Sequence, residues 1–109
     1  MSVSITYKEY NTDEAVSLSV VGDSELHELW IPIIQECGLE YMDYVVTAGL
    51  SLDSDNYYDV LSEVRQLLAE LEQRQEFRDD ITNPVFRCRR LLEVLEAHSP
   101  ERGAELYIG

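Results

Sequence analysis

The stretch DSDNYYDVLSEVRQLLAEL, residues 53–71, begins as an acidic cluster and ends as an apolar stripe, and its second half decides the fold. Tyr57, Val60, Leu61, Val64, Leu67, Leu68 and Leu71 fall within a stripe about 120° wide at roughly 100° per residue, the width of a helix that faces a core. Asp53, Ser54 or Asp55 supplies its N-terminal cap. Further along, Asn83 and Pro84 open a second helix, with Asn as cap and Pro in the first turn. Val85, Cys88, Leu91, Leu92 and Leu95 form its inner face.

Upstream, SVSITYKE and EAVSLSVVG alternate apolar and polar residues, with Val3, Ile5 and Tyr7, then Val16, Leu18 and Val20, on one face. This period of two, rich in β-branched residues, predicts a hairpin of two strands joined through YNTD. Asp23 or Ser24 then caps a helix that carries Leu26, Leu29, Trp30, Ile33, Ile34 and Cys37 on one face, with Gly38 at its end. Pro32 lies inside that helix, where it removes a hydrogen bond and crowds the carbonyl of Glu28, so a kink or break near Trp30 is expected. Residues 42–47 hold Tyr, Val and Thr and predict a strand, although Leu39, Met42 and Val46 also share a helical spacing. AELYIG at the end predicts a last strand beside the hairpin. Residues 1–109 thus read as a single α+β domain: an N-terminal β-hairpin and a C-terminal strand in a mainly antiparallel sheet, with about three helices packed on one face.

Composition agrees with a folded domain. For 12.6 kDa, area scaling gives roughly 6,200 Å² exposed when folded against about 18,000 Å² unfolded. A hydrophobic share of 45% supplies the residues for such a core, whereas a disordered acidic tail is poorer in Leu, Val, Ile and Tyr. Nothing approaches the ~18 consecutive apolar residues of a membrane span, and MSVSITYKEY has no basic region followed by an apolar run. Cys37 and Cys88 each sit among apolar helical residues, the setting of buried reduced thiols. A cytoplasmic location is expected.

Charge is the strongest functional signal. The net charge is −14, and residues 9–64 contain thirteen acids and no Lys or Arg. Residues 65–109 contain nine acids and seven arginines, so the imbalance lies almost wholly in the first 64 positions. Such a chain is a poor ligand for nucleic acid or anionic membrane. Arg87, Arg89 and Arg90 form its basic cluster, and Arg89 can pair with Glu93 one turn on.

Motifs for chemistry are not met. An EF-hand loop counted from Asp53 has Tyr57 at position 5, Tyr58 at 6 and Val64 at 12; counted from Asp55 it has Tyr57 at 3 and Gln66 at 12. Neither register supplies the oxygen ligands, Gly and Glu that calcium requires. HELWI begins like a zinc-protease helix but has Ile31 where the second His belongs. His98 stands at a helix end, where its partial charge suits the dipole. No glycine-rich turn cradles phosphate, and no Ser sits in a nucleophile elbow. The expectation is a non-enzyme without metal or cofactor.

The acidic half of 53–71 then needs a reading of its own. Asp53, Asp55 and Asp59 suit a helix start, each gaining about 0.3–1 kcal/mol from the dipole. Glu63 lies beyond the first turn and forms a like-charge i,i+4 pair with Asp59. Tyr58 points away from the apolar stripe. Tyr41, Tyr44 and Tyr58 are interleaved with Glu40, Asp43, Asp55 and Asp59, and together with Glu63 these eight residues predict a surface of aromatic anchors within a carboxylate rim, suited to a basic protein partner. In size and charge the chain resembles the small acidic immunity proteins that neutralise bacterial toxins, a likeness of composition that implies a stoichiometric inhibitor. A self-associating homodimeric subunit and a small-ligand-binding domain are the alternatives.

Overall fold

The two alternating segments form β1 (Val3–Lys8) and β2 (Val16–Val21), paired antiparallel in a computed structural model that describes residues 2–9, 11–74 and 84–109. In the connection, Asn11 takes a positive φ of 64°, a conformation Asn tolerates better than most side chains; Tyr10 lies outside the described residues. The chain's last strand, β4 (Glu105–Ile108), pairs with β1 on its other side, with Ile5 opposite Ile108 and Tyr7 opposite Leu106. A short β3 (Leu50–Leu52) completes an antiparallel sheet of order β2-β1-β4-β3. Val3, Ile5, Val20, Leu52, Leu106 and Ile108 are buried, while Ser17, Ser19, Ser51, Glu105 and Tyr107 are exposed. The alternation thus sends one face of the sheet to the helices and the other to water. The accessible surface is 6444 Å², close to the roughly 6,200 Å² expected from mass alone.

From Asp23 to Cys37 the backbone stays helical, as α1 (Asp23–Glu25), a π-helical segment (Leu26–Trp30) and α2 (Ile31–Cys37). The expected disturbance at Pro32 takes the form of the π segment. Ile31 donates to the carbonyl of Leu26, five residues back, so the wider turn absorbs the hydrogen bond that Pro32 cannot make. Leu26, Trp30, Ile33 and Ile34 all stay buried. Gly38 ends α2 in the left-handed conformation, φ 66°, and the N–H of Leu39 reaches back to the carbonyl of Ile34 at 3.0 Å, the closure of a Schellman cap.

Residues 42–47 are not a strand. They lie in α3 (Glu40–Ala48), and the strand comes afterwards as β3. Packing outweighs propensity here. As a strand, this segment would divide Met42 and Val46 from Val45; as a helix it buries all three on one side and leaves Glu40, Asp43, Tyr44 and Thr47 in water. Gly49 stops the helix with φ 81°, and a Cβ there would collide with the Tyr107 hydroxyl. Only glycine fits.

The two long helices are α4 (Tyr57–Arg74) and α5 (Pro84–Ala97); Asn83, expected to cap α5, lies outside the described residues. Along α4, Val60, Val64, Leu67 and Leu71 are fully enclosed, as are Cys88, Leu91 and Leu95 on α5. Two exposed ion pairs link the helices, Arg65 with Glu96 at 3.9 Å and Arg89 with Glu72 at 3.1 Å. These pairings require the helices to run antiparallel, and Arg89 takes its partner across the helix pair rather than from Glu93 on its own helix. Exposed pairs of this kind contribute about 0–1 kcal/mol each, so the apolar stripe holds the layer together. Leu67→Ala is expected to cost ~2–5 kcal/mol, read by urea denaturation. A loss below about half a kcal/mol, the usual range for a surface change, would show that Leu67 is not part of the core.

Candidate protein-binding surface

The stretch from Asp53 to Glu63 divides into two jobs, and the first is a helix start. Asp53 Oδ1 accepts the N–H groups of Asp55 and Asn56 at 2.9 and 3.0 Å, while Asn56 Oδ1 accepts the N–H of Asp53 at 2.8 Å. This is a reciprocal capping box with Asn in the third position. The carbonyl of Asp53 takes the N–H of Tyr57 at 3.0 Å, so Asp53 is the cap among the three candidates. Asn56 also donates through Nδ2 to the carbonyl of Ser51 at 3.1 Å, joining the cap to β3. Asp55 stands exposed in the turn, and Asp59 is exposed in the first turn of α4.

Glu63 does a second job, on another helix. The cap residue of α3 is Leu39, which offers no side-chain acceptor. The carboxylate of Glu63 fills the vacancy: Oε2 accepts the N–H of Tyr41 at 3.1 Å and Oε1 that of Met42 at 2.9 Å. An anion at a helix N-terminus is favoured by the unpaired amides and by the dipole together. Like charges at Asp59 and Glu63 are therefore tolerated because one of the two carboxylates is held by backbone donors.

These contacts place the eight predicted surface residues. The start of α3 lies at Glu63, and its end leads through β3 to the start of α4, so α3 runs back along the first turns of α4. Glu40, Asp43 and Tyr44 share the outer side of α3, and Tyr44 is 63% exposed. Asp59, one turn before Glu63, lies on the flank of α4 that α3 packs against. Tyr41 is half-buried against the core. Tyr58 goes elsewhere. Five positions along a helix separate it from Glu63 by about 140°, and its hydroxyl donates to Glu101 Oε2 at 3.1 Å. Its ring meets Tyr57 edge-on at 5.1 Å. The hydrogen bond and charge of Glu101 push the Tyr58 phenol pKa upward. Glu101 sits in a 3-10 turn (Pro100–Arg102) whose cap, Ser99, accepts the Glu101 N–H at 3.2 Å; SPE in the sequence was the signal for that turn, but not for its nearness to Tyr58.

The remaining reactive groups are tied into the fold. His98 follows α5, stacks on Tyr7 with ring centroids 4.2 Å apart, and brings Nδ1 to 3.0 Å from Glu9 Oε1. Burial pushes the Cys88 thiol up to about 12, while Cys37 is half-buried. Among the described residues no group of three His, Cys, Asp or Glu side chains is arranged to hold a metal ion, and no helix is long and apolar enough to cross a membrane.

Two outcomes are expected. Glu63→Ala strips α3 of its cap and should cost about 1–3 kcal/mol, the range for caps and charge-assisted hydrogen bonds. Glu63→Gln, which keeps one acceptor oxygen, should recover part of that loss; equal and negligible effects in denaturation would show that the contact contributes nothing. In native protein, Cys37 should react with a thiol reagent well before Cys88, because the thiolate is the reactive form; mass spectrometry after brief alkylation distinguishes them, and equal labelling would contradict the enclosure of Cys88. Compared with known proteins, the chain matches no protein-family model, no curated protein and no solved structure.

Proposed function

We propose that the chain is a small acidic protein-binding module whose α3 side docks on a basic protein, acting as a stoichiometric inhibitor that occupies a nucleic-acid-binding surface of its partner. One observation carries this reading. Tyr44, the most exposed of the large apolar side chains among the described residues, stands on the outer side of α3 next to Asp43 and one turn from Glu40. Among the described residues, Glu40, Asp43 and Asp59 form no ion pair, whereas Glu9, Glu25, Glu72 and Glu96 do.

Such a surface has the properties that fast docking requires. Carboxylates without internal counter-charges raise the association rate with a basic partner by steering it. An exposed aromatic ring is the side chain whose burial slows dissociation. The same charges repel one another in the free protein, and a basic partner relieves that repulsion.

Glu40→Gln, Asp43→Asn and Asp59→Asn, combined, leave the Glu63 cap untouched and should keep or slightly raise stability. They should slow association with a partner captured from lysate by about ten-fold or more at low salt. The difference should shrink once the Debye length falls to ~10 Å near 0.1 M. Tyr44→Ala should act on dissociation instead. Surface plasmon resonance at two salt concentrations separates the rates, and an unchanged association rate at low salt would remove α3 from the interface.

A further inference from the structure

A second surface, of opposite chemistry, lies at the far edge of the sheet. β2 is the terminal strand, and its outer edge has no backbone hydrogen-bond partner among the described residues. The two sheet edges are treated differently. β3 is three residues long, and Asn56 Nδ2 takes up the carbonyl of Ser51. β2 is six residues, VSLSVV, without a charge or a proline. A bulge opposite Val3 and Ser4 disturbs the pairing only near the Val20 end. Edges that are not meant to pair are usually blunted by Lys, Pro or a covering segment; from Val16 to Ser19 this one is not.

Beneath that edge a groove of about 200 Å³ runs between β2 and α5, walled by Leu18, Val20, Phe86 and Leu91 and closed by Arg87 and Arg90. An enclosed cavity of about 150 Å³ accepts benzene, so the groove has room for one branched or aromatic side chain. Among the described residues, Val16 and Phe86, 42% and 37% exposed, are the exposed large apolar residues that lack a hydroxyl, and they stand on the two elements that bound the groove. No carboxylate among the described residues lines it, in a chain of net charge −14. Arg87 is held by Glu25 at 3.5 Å, and burial pushes the Glu25 pKa up despite that arginine. Arg90 is exposed and has no salt bridge among the described residues.

We propose that β2 and this groove bind an extended segment of another protein as a fifth strand, with an apolar side chain in the groove and a carboxylate two positions away on Arg90. The spacing follows from geometry. Arg90 and the apolar walls line the same groove, on the helix side of the sheet, and side chains on one face of a strand recur every second residue. Main-chain bonds to β2 provide affinity, and the groove provides selectivity. Charge excludes a second copy as the occupant. Pairing β2 with β2 about a two-fold axis sets α5 against α5, with each Arg90 brought toward its mate and no carboxylate in the groove among the described residues to compensate. It also brings the acid-rich flanks of β2, Asp13 and Glu14 at one end and Asp23 at the other, against each other.

The probe is a capped heptapeptide, Thr-Val-Thr-Phe-Thr-Glu-Thr, titrated into ¹⁵N-labelled protein. Amide shifts should concentrate on Val16–Val21 and on Phe86 to Val94. The peptide should bind about ten-fold more tightly than its counterpart with Lys in place of Glu, as a charge-assisted hydrogen bond allows, and Arg90→Glu should reverse that order. Phe86→Ala should weaken both. Methylating the peptide's alternate edge-facing amides should abolish binding, whereas methylating the intervening ones should not. Combined Glu40→Gln, Asp43→Asn and Asp59→Asn should leave the amide shifts on β2 and α5 in place, which keeps this site separate from the α3 surface. The proposal is overturned by the absence of β2 shifts at millimolar peptide, by indifference to Arg90→Glu, or by a dimer that holds the β2 edge closed.

Discussion

The carboxylate of Glu63 receives two backbone N–H groups from the start of α3, and the position of α3 depends on that contact. Leu39 is buried and cannot cap the helix it precedes. Without an acceptor from elsewhere, the N-terminal amides of α3 would be left partly desolvated against α4. Orphan donors of that kind are what helix ends avoid. With Glu63 in place, Met42, Val45 and Val46 can be pressed into the core while Tyr44 and its neighbouring acids stay outside. Because the carboxylate is supplied from the middle of α4, the start of α3 is fixed relative to the longest helix of the molecule. The acidic side is consequently held on a rigid element.

Charge is distributed by the same logic. Among the described residues, two ion pairs link α4 to α5, one ties α5 to Glu25, and one joins His98 to Glu9. Among those residues the cations are concentrated where the helix pair needs lateral ties, and α3 receives none of them. Self-repulsion on that side weakens the folded state, and enclosure of the α4 and α5 stripes offsets it. Arg87 shows the trade in small: its partner Glu25 is mostly enclosed, so the pair fixes the β2 end of the first helical segment to α5 but leaves little charge free.

Much of the fold was legible in the sequence because its periods are clean. The α4 stripe and the closing strand each follow one period without interruption, the hairpin does so up to the bulge at Val20, and each is found where that period put it. Residues 42–47 misled because Tyr, Val and Thr favour strands when nothing else decides, whereas here Met42, Val45 and Val46 share a buried side only as a helix. Gly38 and Gly49 at the two ends were signals of that helix. Pro32 announced a disturbance, but the π turn that resolves it depends on keeping Leu26, Trp30, Ile33 and Ile34 all buried, which a single helix period does not express. The candidate surface was legible in composition and not in grouping. Once α3 is a helix, Glu40, Asp43 and Tyr44 fall together by spacing alone. Tyr58 leaves the group because its flank of α4 faces Glu101, and Glu63 turns inward because α3 needs it. Neither fact has a local sequence signature, since each joins positions separated by more than twenty residues.

The two surfaces operate over different ranges. A net charge of −14 acts at a distance, attracting basic molecules and repelling acidic ones before any contact forms, within a screening length of about 10 Å at 0.1 M salt. The α3 side is aligned with that field, so its gain is in the rate of encounter. The groove beside β2 opposes it. An acidic segment approaching Arg90 crosses a repulsive field and is held only after its backbone has met the strand edge and its apolar side chain has entered the groove. Steering therefore selects for α3, whereas shape and main-chain pairing select for β2. A basic protein docked on α3 would neutralise part of the field and thereby lower the barrier at the groove. Through electrostatics alone, with no movement of the fold, occupation of one surface would favour occupation of the other: a bound basic partner lessens the repulsion that an acidic segment meets, and a bound acidic segment adds to the attraction that a basic partner meets.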